Sequence, residues 1–242
     1  MANILFEGDT EFQHYIVADT IYAGRPARVL YSGHYAAAQS GVASDEKPDM
    51  LFDYNERFME LMRGAIPGTV LLLGGGAFSL PKALSDEFPT TNLDIVELDK
   101  GLPEIASTYF DYHPSARTHV YIGDGVEYLR ETAQKYDLIL IDIFSNTNVP
   151  TSIQTRKFAK ILKRTLAQHG IVAINLIASY YGDRSSVLRR QIDSFQHAFS
   201  NLELFPASHV ESLWLPQNFI LTASLHTKKT APSLRYKSLP LP

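Results

Sequence analysis

The chemical content of this 242-residue chain lies in one run of glycines and in acidic residues that close apolar runs. In VLLLGGGAFSLPKAL, residues 70–84, four aliphatic residues run into Gly74, Gly75 and Gly76, and a helical pattern follows. Glycine tolerates positive φ and lets a ligand press against the backbone, so a strand, a glycine turn and a helix in that order make nucleotide-site geometry. A tight strand-to-helix turn with no ligand carries the same signature. The dinucleotide pattern G-x-G-x-x-G is not met, because Ser79 stands where the third glycine belongs.

Three acids follow. In LDIVELD, Glu97 closes the next apolar run, about 20 residues on, where a carboxylate accepts hydrogen bonds from both hydroxyls of a ribose. That placement suits NAD and S-adenosyl ligands alike. Asp99 reads as the N-cap of a helix opening at Gly101. In VYIGDGVEYL, Asp124 lies between Gly123 and Gly125. It can accept the adenine amino group while the adjoining backbone reads the ring edge, and it can also cap a helix beginning at Val126. Acids at successive strand ends mark an S-adenosyl site rather than a dinucleotide site, and Phe78 is bulky for a pyrophosphate. In YDLILIDIF, Asp142 closes a buried strand at the edge where open α/β sheets bind ligands. It could instead only bond loop amides. Residues 143–150 could fold over a ligand as a lid.

These residues need a scaffold of alternating elements. Apolar runs predict strands at 69–73, 92–97, 118–122, 136–142, 170–176 and 218–225. Helical patterns fall at 78–87, 101–109, 124–134, 151–167 and 184–199. The alternation predicts an α/β fold, a Rossmann-like parallel sheet with helices on both faces. NFILTAS, with no helix after it, reads as an inserted antiparallel strand. Residues 1–47 read as a small β appendage, since HYIVADTIY and ARVLYSG are strand-like; SGHYAAAQSGVAS is a third strand or a loop. Residues 48–67 form a linking helix, 68–229 the nucleoside-binding domain and 230–242 a loose tail.

Composition bounds the function. Hydrophobic residues make up 45% and charged residues 20%, the net charge is -4, and no basic block stands out, so no nucleic-acid partner is expected. Cysteine is absent, and the eight histidines show no i,i+4 pair, so no metal is expected. The opening MANILFEGDTEF lacks a signal-peptide pattern, and the longest apolar runs are too short to span a bilayer. A cytoplasmic protein without membrane contact is the expectation.

Together these stretches resemble the spermidine/spermine synthase family, the polyamine aminopropyltransferases, over most of residues 6–225. The resemblance implies a fold of the S-adenosylmethionine-methyltransferase type and, as co-substrate, decarboxylated S-adenosylmethionine. EFQHYIVAD resembles the family's opening strand and implies that Gln13 lies near the nucleoside; DYNE at 53–56 implies Tyr54 near the amine and Asn55 near the nucleoside. Glu97 matches the ribose ligand, Asp124 the adenine-side acid, and Asp142 the acid that activates the amine. Two positions depart. The family's Gly-Gly-Gly-Asp-Gly acid, which holds the aminopropyl ammonium, is Ala77, and the second acid of the Asp-Ser-Ser-Asp-Pro loop is Ser145. The pattern is closer to divergent spermidine synthase-like proteins. Glu7, Glu11, Asp53 and Glu211 are candidates to compensate. Loss of two charge-assisted contacts of about 1.5–3 kcal/mol each opens two alternatives: methyl transfer from ordinary S-adenosylmethionine, and a nucleoside-binding module without catalysis. The expected partner is a small-molecule amine. Tyr54 would line its apolar stem and offer a cation–π contact; Trp214 could do the same, but is expected rather as a packed core aromatic. The family also implies a homodimer.

Overall fold

The computed structural model describes residues 2–33, 37–45, 50–144, 149–182, 185–209, 212–226 and 238–242. Four antiparallel strands come first, β1 (Asn3–Asp9), β2 (His14–Tyr22), β3 (Arg25–Ser32) and β4 (Ala37–Ala43), paired in chain order. Helix α1 (Asp53–Ala65) leads to the second sheet. There, β5 (Thr69–Leu73), α2 (Ser79–Glu87), β6 (Asn92–Glu97), α3 (Leu102–Tyr109), β7 (Thr118–Ile122), α4 (Gly125–Glu131) and β8 (Tyr136–Ile141) alternate. A 3-10 turn (Thr151–Ile153), α5 (Arg156–Thr165), β9 (Leu166–Ala178), α6 (Ser185–Gln196), β10 (Asn201–Pro206) and β11 (Gln217–Ser224) complete it. The sheet runs β10-β11-β9-β8-β5-β6-β7. Strands β5 to β9 are parallel, and β11 is antiparallel to both neighbours. The chain winds outward from β5 in both directions, so the gap between β5 and β8 is the topological switch point.

Alternation along the strands builds two cores. Val70, Leu72, Leu138 and Leu140 pack on one face with Phe58 and Met62 of α1, Leu84 of α2 and Ile105 of α3. Leu71, Leu73, Ile139 and Ile141 pack on the other with Leu129 of α4, Phe158 and Leu162 of α5 and Leu188 of α6. Successive side chains of a strand point to opposite faces, so a sheet covered on both sides needs unbroken apolar strands. The expected α/β class, with an N-terminal β appendage, is what forms. Helix α1 joins the two parts: its residues from Tyr54 to Met62 are buried, and Tyr15, Val17 and Leu30 of the first sheet share its core cluster. Its charges are paired, Arg57 with Glu60 and Arg63 with Glu56, each at 2.8 Å.

Several elements differ from expectation. The helix expected over 151–167 splits, because the Thr155 side chain accepts the Phe158 N–H and starts α5 afresh. Strand β9 begins at Leu166 rather than 170, since Leu166 already pairs with Tyr136. Strand β10 is absent from the sequence-based pattern; it forms at the sheet edge, where its Pro206 is tolerated. SGHYAAAQSGVAS forms a strand, β4, over Ala37–Ala43. Although no basic block stands out in the sequence, α5 exposes Lys157, Lys160, Lys163 and Arg164, and a hollow of about 400 Å³ is lined by Arg130, Lys157, Lys160, Ile161 and Arg164. No helix among the described residues is long and apolar enough to cross a membrane.

Gly74 sits at φ 97°, and a Cβ there would lie 2.3 Å from the Asp142 carbonyl oxygen. Gly24, at φ 76°, faces open space. Gly24→Ala should therefore cost only the left-handed penalty of about 1–2 kcal/mol. Gly74→Ala must also push backbone apart, and should cost more than about 3 kcal/mol, near 10 °C in Tm for a chain this long. Thermal melts of the two variants check the contrast; equal losses would contradict it.

Candidate active site

Four neighbouring strands, β8, β5, β6 and β7, end on one edge and bring Asp142, Gly74–Gly76, Glu97 and Asp124 into a continuous rim. Backbone bonds hold the ends in step: the Asp142 N–H donates to Leu73 O, the Gly74 N–H to Val96 O and the Gly123 N–H to Glu97 O, at 2.8–2.9 Å. The glycine turn is crowded from three sides. A Cβ on Gly75 would meet the Phe78 ring at 2.7 Å, and one on Gly76 (φ 55°) would meet Ser40 Cβ at 3.1 Å. Phe78 itself takes a left-handed conformation, is fully buried and packs on Tyr112 with ring centroids 4.6 Å apart. Ala77 is fully buried as well. Gly125, at the start of α4, would put a Cβ 3.3 Å from Leu73 and 3.4 Å from Ile143.

Glu97 braces this turn. The Gly75 and Gly76 N–H groups donate to its Oε2 at 2.7 and 3.4 Å, and the Asp99 N–H to its Oε1 at 2.9 Å. Burial raises its pKa, and those N–H bonds oppose the rise. Each carboxylate oxygen can accept two hydrogen bonds, so acceptor capacity remains. Asp124 is exposed, and its Oδ1 accepts from the Val126 and Glu127 N–H groups at 2.7 and 2.9 Å. The cap of α4 is thus formed, and among the described residues Oδ2 takes no hydrogen bond. Asp99 is not the helix N-cap. Gly101 holds that place; Asp99 is buried, accepts the Gly101 N–H at 2.9 Å, and accepts the Thr10 hydroxyl from the loop before β2. Gln13 reaches the rim through this tie: its N–H donates to Thr10 Oγ1, and its Nε2 donates to the Tyr15 hydroxyl at 2.8 Å.

Asp142 is half-buried just past β8. Asn175 Nδ2 donates to its Oδ1 at 2.9 Å, and the Tyr54 hydroxyl is within hydrogen-bonding reach of the carboxyl. The same hydroxyl lies 3.5 Å from Gln39 O of β4. Burial lifts the Asp142 carboxyl to about 6, the charge of Glu97 adds to the rise, and the two hydrogen bonds act against it. The Tyr54 hydroxyl is pushed well above its ordinary pKa by burial and by the Asp142 charge. Next to it, Asn55 is buried, with an Oδ1 that has no partner among the described residues. The rim therefore combines an amide-rich glycine turn, two outlying acids and a carboxyl poised near neutrality.

Some expected parts lie elsewhere. Trp214 is not a core aromatic: it is 67% exposed and packs on Tyr181 at 5.3 Å. Glu11 pairs with Lys100, Glu7 lies 3.4 Å from His14, and Asp53 is exposed at the start of α1. Ser145 and Glu211, His34 and half of the candidate lid, residues 145–148, fall outside the described residues. Asn175, Gln39 and Ser40 carry no motif signal in the sequence, so their place at the site comes from the fold alone. Among the described residues, no group of three or more His, Asp or Glu side chains could hold a metal ion.

The Asp142 carboxyl binds its proton more tightly in the fold, at about 6, than at its ordinary value of 3.8. Protonation therefore favours folding: this contribution is complete below about pH 4 and is lost as pH rises through about 6. Asp142→Asn removes the charge and keeps an acceptor for Asn175. Above pH 7 the variant should be more stable than the parent by about 1–2 kcal/mol, a difference that fades toward pH 4. Thermal melts from pH 4.5 to 8 measure it; a gap that does not vary with pH would contradict the assignment.

Comparison with known proteins identifies the family. Residues 52–199 match the spermine/spermidine synthase domain. A polyamine aminopropyltransferase of Vibrio vulnificus is 34% identical over 134 residues, 53% of this chain and 45% of that protein. The human eEF1A lysine and N-terminal methyltransferase is 27% identical over 209 residues, 81% of this chain and 27% of that protein. The chain thus spans less than half the length of these two curated relatives. Human methyltransferase-like protein 13, solved in complex with SAH, superposes with a TM-score of 0.59 at 26% identity, covering 74% of this chain and 87% of that one. With the family model spanning well over half of its residues, the chain belongs to the spermine/spermidine synthase domain family.

Proposed function

We propose that the protein is a transferase that moves an aminopropyl group from decarboxylated S-adenosylmethionine to a small-molecule amine. The observation that carries the reading is the Asp142 carboxyl, lifted to about 6 and held beside the glycine turn by Asn175 and within reach of Tyr54. An amine attacks only through its lone pair, so the site must favour its neutral form. The nitrogen lone pair forms the new C–N bond at the carbon next to the sulfonium. The C–S bond breaks, its electron pair passes to sulfur, and a neutral thioether leaves. The nitrogen gives up a proton, which Asp142 receives. The rise from 3.8 to about 6 makes this carboxylate roughly a hundredfold more basic than an ordinary aspartate. Positioning supplies much of the remaining acceleration.

The residues suit the adenosine end of the co-substrate. Glu97 retains acceptor capacity for ribose hydroxyls, and the unoccupied Oδ2 of Asp124 and the backbone near Gly125 suit the adenine edge. Gln13 and Asn55 are the outer members of the nucleoside pocket in this reading, and Tyr54 lines the amine's path. The far end fits less well, because Ala77 is buried and uncharged and cannot pair with the aminopropyl ammonium. That mismatch favours one second reading, methyl transfer to an amine from S-adenosylmethionine. The similarity to a human methyltransferase and to a methyltransferase-like fold in complex with SAH supports it.

The test offers decarboxylated and ordinary S-adenosylmethionine separately, each with putrescine, agmatine and longer diamines, and identifies the products by mass. Aminopropylated amine is expected; methylated amine selects the second reading. Binding of methylthioadenosine with no product from any amine would reduce the chain to a nucleoside-binding module. Asp142→Asn should lower turnover at least a hundredfold and leave methylthioadenosine affinity within about twofold. Full activity in this variant would remove Asp142 from its role.

A further inference from the structure

Strand β9 is apolar over Ile171–Ile174 and Leu176–Ile177, and Asn175 interrupts it at 1% exposure. A buried amide left without partners is costly, and this one has its polar atoms paired. Its Nδ2 donates to Asp142 Oδ1 at 2.9 Å, and its Oδ1 accepts from Asn218 Nδ2 at 2.9 Å. Asn218 lies on β11, where Ile220 is the register partner of Asn175 and Ile177 that of Asn218. The two asparagines are therefore diagonal neighbours on one face of an antiparallel pair, within reach of each other. The result is a line of polar groups, Asn218, Asn175 and Asp142, crossing from the antiparallel strand to the reactive edge.

An asparagine amide can be turned to present either its oxygen or its nitrogen. With Asp142 ionised, an oxygen of Asn175 facing it would set acceptor against acceptor. Asn218 works against that option: as it donates to the Asn175 oxygen, the Asn175 nitrogen faces the carboxylate. One Asp142 oxygen is then held, which restricts the rotation of the carboxylate.

We propose that Asn175 and Asn218 are positioning residues, a two-amide relay that orients the Asp142 carboxylate and keeps it ionised for the incoming amine. The role rests on the transferase reading given above, but the relay can be measured without turnover. The other groups that act on Asp142 are the Tyr54 hydroxyl from α1 and the Glu97 carboxylate from β6. One is a donor that favours the ionised form, and the other a like charge that opposes it. Neither is on β9 or β11, so substitutions in the relay leave both in place.

The experiment uses Asn175→Leu and, at the half-buried second position, Asn218→Leu. The ionisation of Asp142 is followed by ¹³C NMR of labelled aspartate carboxyls, with Asp142→Asn identifying the signal. Loss of the Asn175 donor should raise the Asp142 midpoint by about one unit. Asn218→Leu, which only frees the amide to turn, should raise it by a smaller step in the same direction. If the transferase assay is active, kcat at pH 7 should fall about 10- to 100-fold in Asn175→Leu. Its acid limb should move up with the NMR midpoint, while KM for the nucleoside and methylthioadenosine affinity stay within twofold. An unchanged midpoint in Asn218→Leu would overturn the relay, even where Asn175→Leu fails to fold. A fall in kcat without a shift of the acid limb would also overturn it, reducing both residues to packing. Shifted NMR midpoints in a protein inactive toward every amine would support the relay and sink the transferase reading instead.

Discussion

One approach between two stretches of backbone sets the terms for the rest of the molecule. At Gly74 the chain leaves β5 so close to the Asp142 carbonyl that no side chain fits between them. Strands β5 and β8 are already neighbours through four parallel register pairs. Carrying the contact past the strand ends puts the glycine turn and the Asp142 carboxyl in one place. It also occurs where the sheet order reverses, the position at which such sheets leave a crevice. Had a side chain been needed there, the two loops would have diverged and the acid would face solvent.

The acids on this edge do different work even though they occupy equivalent strand ends. Glu97 is turned inward and spent partly on holding the turn, while Asp124 is exposed and spent partly on starting α4. Burial raises both Glu97 and Asp142, but Glu97 meets three N–H donors that oppose the rise, while Asp142, with fewer donors, is lifted to about 6. Position along the strand places a carboxylate, and the count of N–H groups around it decides its chemistry.

The parallel sheet was readable because short apolar runs alternated with helical spacing, and five of the six expected strands coincide in their bounds with those observed to within a residue. The glycine turn and the acid-bearing strand ends were readable for the same reason. What stayed hidden is instructive. Asn175 sits inside an apolar run, and a linear pattern cannot say that its amide meets two partners from distant segments. Asp99 looked like the cap of the helix after it; Gly101 takes that place, and the Asp99 carboxylate is shared between the Gly101 N–H and Thr10, 89 residues earlier. Trp214 looked like core because tryptophan is large and apolar, and only the surrounding loop shows it at the surface. Local signals were right about local structure and silent about contacts made at long sequence separation.

The contact of β4 with the glycine turn has a consequence of its own. Ser40 rests against Gly76 and shares a hydrogen bond with Ser79 at 3.0 Å, while Gln39 O lies beside the Tyr54 hydroxyl. The ceiling over the rim thus belongs to the first sheet, and the floor to the second. A graft that exchanged residues 2–45 for the equivalent hairpins of a relative would leave every acid of the floor in place and still reshape the room above it. Drift in the hairpins, which also carry Gln13 and Thr10, can reshape the space above the acids while the strand ends that bear those acids stay the same.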